Sequence, residues 1–140
     1  MKARALLFLR ITFGGLLIWW GLDKFYQVEH GVQVAQHFYW GVGTGVTWLR
    51  LAGIVEILLG ALVLLGLWRR WAYPALALLT GITLLAVWRS VLDPWGWWLT
   101  GANVLFYPSV IIWAASLVLW AFSDEDRLAL DRRRDANRRV

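Results

Sequence analysis

The sequence predicts an all-α integral membrane protein, a four-helix bundle with both termini on the cytoplasmic side, and three observations carry that expectation. Four apolar stretches each run about 18–22 residues, close to the ~20 a helix needs to cross a ~30 Å hydrocarbon core. Of the 140 residues, 60% are apolar and 16% charged, against roughly 45–50% and about 25% in an average soluble domain. Lysine and arginine are also unevenly placed. Lys2, Arg4, Arg69, Arg70 and six arginines of the tail fall on one side, and only Lys24, Arg50 and Arg89 on the other. The richer side is cytoplasmic by the positive-inside rule.

The first span runs from about Ala5 to Leu22. Lys2 and Arg4 before an apolar run suit a signal peptide, but Arg10 interrupts the run and Gly21-Leu22-Asp23-Lys24 offers no small-x-small cleavage site, so a retained helix is expected. From Asp23 to Gly45 comes the longest outer connection. There Phe25, Val28, Val32 and Ala35 recur at helical spacing, which predicts a short amphipathic helix on the outer membrane face. The second span covers about Val46 to Leu67 and the third about Trp71 to Val91; the Trp68-Arg69-Arg70-Trp71 link makes them antiparallel neighbours. The fourth covers about Gly101 to Phe122, with Pro108 expected to kink it. Residues 1–122 thus form the transmembrane domain and 123–140 a charged cytoplasmic tail, whose six arginines are nearly balanced by Asp124, Glu125, Asp126, Asp131 and Asp135.

Twelve tryptophans fit the same frame, because an indole ring is apolar with one polar N–H and gathers where membrane meets water. Trp19, Trp20, Trp48, Trp88, Trp95, Trp97 and Trp98 fall at outer ends of spans, and Trp68, Trp71 and Trp120 at inner ends. The likeness of Gly15–Lys24 to Gly60–Arg69 reflects the small vocabulary of apolar helices rather than a repeat.

Several function classes fall away. Without cysteine there are no disulfides, thiolate metal sites or iron–sulfur ligands. The formal charge of +5 reads as a topology signal and not as a nucleic-acid surface, since the tail mixes both signs. No Ser/His/Asp constellation and no phosphate-cradling glycine loop appears. His30 and His37 could share a helical face, but only Glu29 adds a ligand, so solvated interface histidines are expected and no metal, haem or flavin.

Glu56 is the most informative position. A carboxylate at mid-bilayer costs roughly 2.5–3.5 kcal/mol on insertion scales, so it should face protein or water. At 100° per residue Gly45, Ala52, Gly53, Glu56, Gly60 and Val63 share one face of the second span, and Arg10, Gly14, Leu17, Gly21 and Lys24 one face of the first. These faces are expected to pack, with Glu56 near Arg10 or reached by Lys24. Two readings stand: an ion pair that fixes the bundle, or a proton or ligand site. Asn103 and Tyr107, spaced i, i+4 on the fourth span, would either bond a neighbouring helix or hydrogen-bond a quinone carbonyl. Thr80, Gly81, Thr83, Ser109 and Ser116 are expected to pack helices together. Asp23 beside Lys24 is either a helix-end pair or an outer gate to Glu56.

The first span's ending, Gly21-Leu22-Asp23-Lys24-Phe25, and the stretch from Ala52 to Leu67 with Gly53, Glu56 and Gly60, followed by Arg69-Arg70, resemble the DoxX family of small four-helix bacterial membrane proteins. The resemblance covers about residues 5 to 90; the Trp95–Trp98 stretch and the tail stand outside it. It implies a bundle in the bacterial inner membrane. It also implies a link to quinone-linked sulfur oxidation, since founding members are subunits of a thiosulfate:quinone oxidoreductase, while related eukaryotic four-helix proteins act as chaperones or cargo receptors. The expected function is therefore a membrane subunit of a quinone-linked oxidoreductase system. Glu56, helped by Lys24 or Arg10, would handle protons, Asn103 or Tyr107 would meet the quinone, and a partner protein would supply electrons. The alternative is a non-enzymatic anchor, scaffold or assembly factor acting with a protein partner or as a homo-oligomer; a small transporter suits one four-helix bundle less, because its interior is narrow.

Overall fold

The structure, a computed structural model, describes residues 1–132. Five helices carry it: α1 (Lys2–Tyr26), α2 (Val28–Phe38), α3 (Val46–Leu65), α4 (Arg69–Leu92) and α5 (Pro108–Ala121). Among the described residues there is no strand. α1, α3, α4 and the run Val104–Ala121, a 3₁₀ turn leading into α5, are long and apolar enough to cross a membrane. Their outward faces are apolar, with Phe8 and Ile11 on α1, Val55 and Leu58 on α3, Leu78 and Leu85 on α4 and Ile111 on α5 all exposed. The polar groups turn inward: Arg10, Glu56, Thr80 and Ser116 are buried. Only a lipid solvent makes that arrangement favourable, because apolar surface costs nothing there and polar groups must find partners inside.

α1 and α3 are joined most closely, and glycine is the reason. A Cβ added at Gly14 would lie 2.7 Å from the Gly60 carbonyl oxygen, and one at Gly21 2.6 Å from that of Gly53. Reciprocally, a Cβ at Gly60 would lie 2.8 Å from the Gly14 oxygen, and one at Gly53 2.8 Å from that of Gly21. Two backbones thus touch at two levels, the small-residue contact that drives helix association in lipid. Gly53, Glu56, Gly60 and Val63 form the buried stripe of α3, and Arg10, Gly14, Leu17 and Gly21 that of α1, as their spacing predicts. Ala52 and Gly45 are exposed instead.

α4 and α5 make a second pair. Thr80 Oγ1 and Ser116 Oγ lie 3.0 Å apart, and Trp113 sits over Gly81, where a Cβ would meet its Nε1 at 2.9 Å. Leu6, Phe13 and Leu17 of α1, Val63 of α3, Ala72, Tyr73 and Leu76 of α4 and Leu119 of α5 form the apolar core between the pairs.

The connections explain the helix bounds. α3 ends at Gly66, whose φ of 66° is left-handed; its N–H donates to Val63 O (3.1 Å) and that of Leu67 to Leu62 O (2.9 Å), which closes the helix end. The segment between α1 and α3 is helical, and α2 turns Gly31 and Ala35 inward. The fourth span differs from expectation. Residues 93–103 form a folded loop, and the chain turns helical only at Val104. Pro108 stands at the start of α5, where its missing N–H has no bond to lose, so it begins a helix rather than kinking one. Both described ends of the chain lie at one end of the bundle, with Lys2 Nζ 3.1 Å from Glu125 Oε2.

Candidate functional site

Glu56 is the eleventh residue of the twenty in α3, so at ~1.5 Å per residue it lies about 14–15 Å from either helix end. Lys24 stands in the last turn of α1, two residues from its end. The lysine side chain does not extend outward to water. It folds back along α1, donating from Nζ to Glu56 Oε2 at 2.7 Å and to the Trp20 carbonyl at 3.4 Å. The path is open because Gly53 faces it: a Cβ there would stand 3.3 Å from Lys24 Cβ and 2.9 Å from the Phe25 ring. The glycine seam therefore sets the site as well as the packing. Lys24 and Glu56 keep 21% and 11% side-chain exposure, which leaves the pair partly reachable. A short ammonium–carboxylate hydrogen bond of this kind fixes two helices and also offers a proton a single step between nitrogen and oxygen.

Arg10 does not join this pair. It lies on the same face of α1, but extends toward the opposite end of the bundle and is only 2% exposed there. Its Nε faces Asp126 Oδ2 at 3.7 Å and its Nη2 donates to Leu128 O at 3.3 Å. Asp126, fully buried, accepts from the Tyr73 hydroxyl at 2.6 Å. The residues after α5, Ser123–Arg132, thus fold back onto the bundle; the rest of the expected charged tail, residues 133–140, lies outside the described residues. The long arginine stem had two directions open to it, and its acid partner decides between them.

Asn103 and Tyr107 are not a helical i, i+4 pair, because the helix starts after Asn103. Asn103 is buried, and its amide Nδ2 donates to Asp93 O and Gly101 O, both at 3.1 Å. Tyr107 is 57% exposed on the outer surface of the bundle. A quinone carbonyl needs a free donor; Asn103 has spent both of its amide hydrogens on backbone carbonyls, so of the two only Tyr107 keeps a hydroxyl to offer. The organiser of the loop is Asp93, which spacing had not singled out. Its carboxylate accepts from the N–H groups of Trp97 (2.6 Å), Trp98 (2.8 Å) and Leu99 (2.6 Å). Burial alone would raise the Asp93 carboxyl pKa, but the backbone N–H groups of Leu99, Trp98, Trp97 and Gly96 outweigh it and hold the group below the ordinary range. The Asp-Pro-x-Gly run at Asp93–Gly96 carries a turn signal that marks this loop in the sequence.

At the α2 end of the bundle His30 Nδ1 lies 2.8 Å from Asp23 Oδ2, so Asp23 pairs with α2 and not with Lys24. His30 and His37 border one open recess with Gln33 and Phe38. Among the described residues no three His, Cys, Asp or Glu side chains gather as metal ligands would.

Four membrane-crossing helices, a glycine seam and an ion pair within it define a small multi-pass membrane protein. The DoxX family model matches residues 5–89, more than half of the chain, and the protein belongs to that family. The match takes in α1, α2, α3 and most of α4, and with them the whole Lys24–Glu56 site. No curated protein and no solved structure matches it.

Proposed function

We propose that the protein is a membrane subunit of a quinone-linked oxidoreductase system in a bacterial inner membrane, with both termini cytoplasmic, and that Lys24 and Glu56 carry its proton step. The observation that supports this is the 2.7 Å Lys24–Glu56 contact held well inside the bundle by facing glycines. An ionisable pair kept at such depth is expensive and marks a functional position by default. In this reading Glu56 accepts a proton from Lys24 Nζ, and Lys24 is recharged from the outer end, where its residue stands at the close of α1. The chain's membership of the family supports a quinone as the oxidant of the system. Electrons come from a partner protein.

The test is Glu56→Gln, which keeps the shape and a hydrogen-bond acceptor for Lys24 but cannot hold a proton. Membranes carrying this variant at normal abundance should lose quinone-dependent turnover with the partner. Unchanged turnover would remove the proton role and leave the second reading, an anchor or scaffold. One observation favours that second reading: the loop carrying exposed Trp95, Trp97 and Trp98 is rigidly tied to Asp93 and offers a preformed surface. It predicts co-purification with one defined partner, whatever stands at position 56.

A further inference from the structure

The termini end of the bundle carries basic residues without acids of its own. Lys2, Arg4 and Arg10 on α1 and Arg69 and Arg70 on α4 stand there, and neither residues 1–22 nor residues 57–92 contain an Asp or Glu. Against this end lies Ser123–Arg132, which holds Asp124, Glu125, Asp126 and Asp131 with only Arg127 and Arg132. An acidic segment is docked on a basic socket. The docking is specific in its backbone. Asp131 Oδ2 accepts from Arg69 N at 3.1 Å, which caps α4 where Trp68 supplies no side-chain cap. Asp131 N donates to Gly66 O at 3.3 Å, and Ala129, fully buried, packs where a Cβ on Gly66 would stand.

In its charged centre the fit is poor. Arg10 Nε and Arg69 Nε stand 3.7 Å from Asp126 Oδ2 and 3.8 Å from Asp131 Oδ2, too far for hydrogen bonds. Arg10 Nε and Nη1, Arg69 Nε and Asp126 Oδ1 are buried without a partner among the described residues. Buried charged groups rarely leave so much bonding capacity unused. A flat carboxylate on a peptide tether reaches Tyr73 and leaves guanidinium N–H groups unmatched. A tetrahedral oxyanion presents more acceptor oxygens, and two guanidinium forks with a phenol hydroxyl are the donor set that phosphate takes.

We infer that Arg10, Arg69 and Tyr73 form a phosphate-binding site at the termini end of the bundle, which Asp126 of the returning segment occupies in cis and from which phosphate displaces it. The phosphate is either the headgroup of an anionic lipid in the adjoining leaflet or a free ion. The site lies at the opposite end of the bundle from Lys24 and about 15 Å along α3 from Glu56, and does not depend on the redox reading.

Hydrogen exchange followed by mass spectrometry on the full chain in lipid nanodiscs reads the displacement directly. In purely zwitterionic phosphatidylcholine, amides of Ser123–Arg132 should exchange slowly. Including phosphatidylglycerol should speed them roughly tenfold, with α1 and α3 unchanged, if a lipid headgroup is the ligand. Inorganic phosphate added to phosphatidylcholine discs should do so if the free ion is. No change in either arm overturns the site. Arg10→Gln must abolish the response; a response that survives it belongs to general surface charge and also overturns the site. Arg69→Gln takes its place should Arg10→Gln fail to fold. Asp126→Asn should exchange fast in every lipid, and Tyr73→Phe, which loses one hydrogen bond and no charge, should lie between it and the parent chain. Slow exchange in both would mean that Asp126 does not hold the segment.

Discussion

Replacing Gly21 by alanine tests the seam and the site together. The new Cβ would lie 2.6 Å from the Gly53 carbonyl oxygen, 2.6 Å from Ile57 Cγ1 and 3.1 Å from Ile57 N. Two of these contacts are with backbone that cannot step aside alone. Ordinary van der Waals contact begins near 3.4 Å, so α1 and α3 must part by roughly 0.8 Å at this level or strain by an equivalent amount, and overpacking of this kind costs about 1–3 kcal/mol. Alanine also gains about 1 kcal/mol over glycine in helix propensity. The control removes that gain from the comparison: Gly15, one residue earlier, has nothing within 4 Å of its position for a Cβ. Gly15→Ala should therefore be neutral to stabilising, and Gly21→Ala should be less stable than Gly15→Ala by about 1–3 kcal/mol. Thermal unfolding of the two purified variants in one detergent, read by helical circular dichroism, gives the ordering. Parting the helices also lengthens the 2.7 Å Lys24–Glu56 contact, so under the proposed function Gly21→Ala should lose quinone-dependent turnover as well. Equal melting temperatures for the two variants would refute the close-packed seam.

Two further outcomes follow from the same geometry. Lys24→Met strips Glu56 of its partner and should cost about 3–5 kcal/mol, the penalty of a buried charge left alone, whereas Lys24→Met combined with Glu56→Leu should recover most of the loss; a double variant as unstable as the single would show that the two charges are not coupled. The Asp93 carboxyl titrates below its unfolded value, so its hold on the loop is present above the ordinary carboxylate range near ~3.9 and is lost only as pH falls through the lower folded value. Tryptophan emission from the loop should accordingly stay constant from neutral pH down to about 4 and shift below it, while Asp93→Asn should show the shifted emission already at neutral pH.

Much of the fold could be read from the sequence because lipid makes its demands visible there. A lone acid in an apolar run must turn inward, and glycines at the same helical phase show which way inward is. That reasoning located the α1–α3 seam and put Lys24 within reach of Glu56. It left Arg10 open because a long flexible side chain has two directions available and its partner is remote in sequence: Leu128, whose carbonyl it bonds, is 118 positions away. The three consecutive apolar residues Leu128-Ala129-Leu130 within a mostly charged tail were the available sign that this segment packs against something. Asn103 failed for another reason. Its pairing with Tyr107 assumed helix throughout the fourth apolar stretch, whereas a side chain capable of capping turns was bound to Asp93 and ended the loop.

The two charged contacts of α1 also differ in when they can form. Translation delivers the chain from its N-terminus, so Lys24 is already placed when Glu56, 32 positions later, reaches the membrane. The acid never has to enter oil alone; the cation awaits it. Arg10 has no such early companion and is matched only when the residues after α5 have been made. A ribosome stalled or a message truncated before Asp126 would release a bundle with its seam intact and one arginine still seeking an anion.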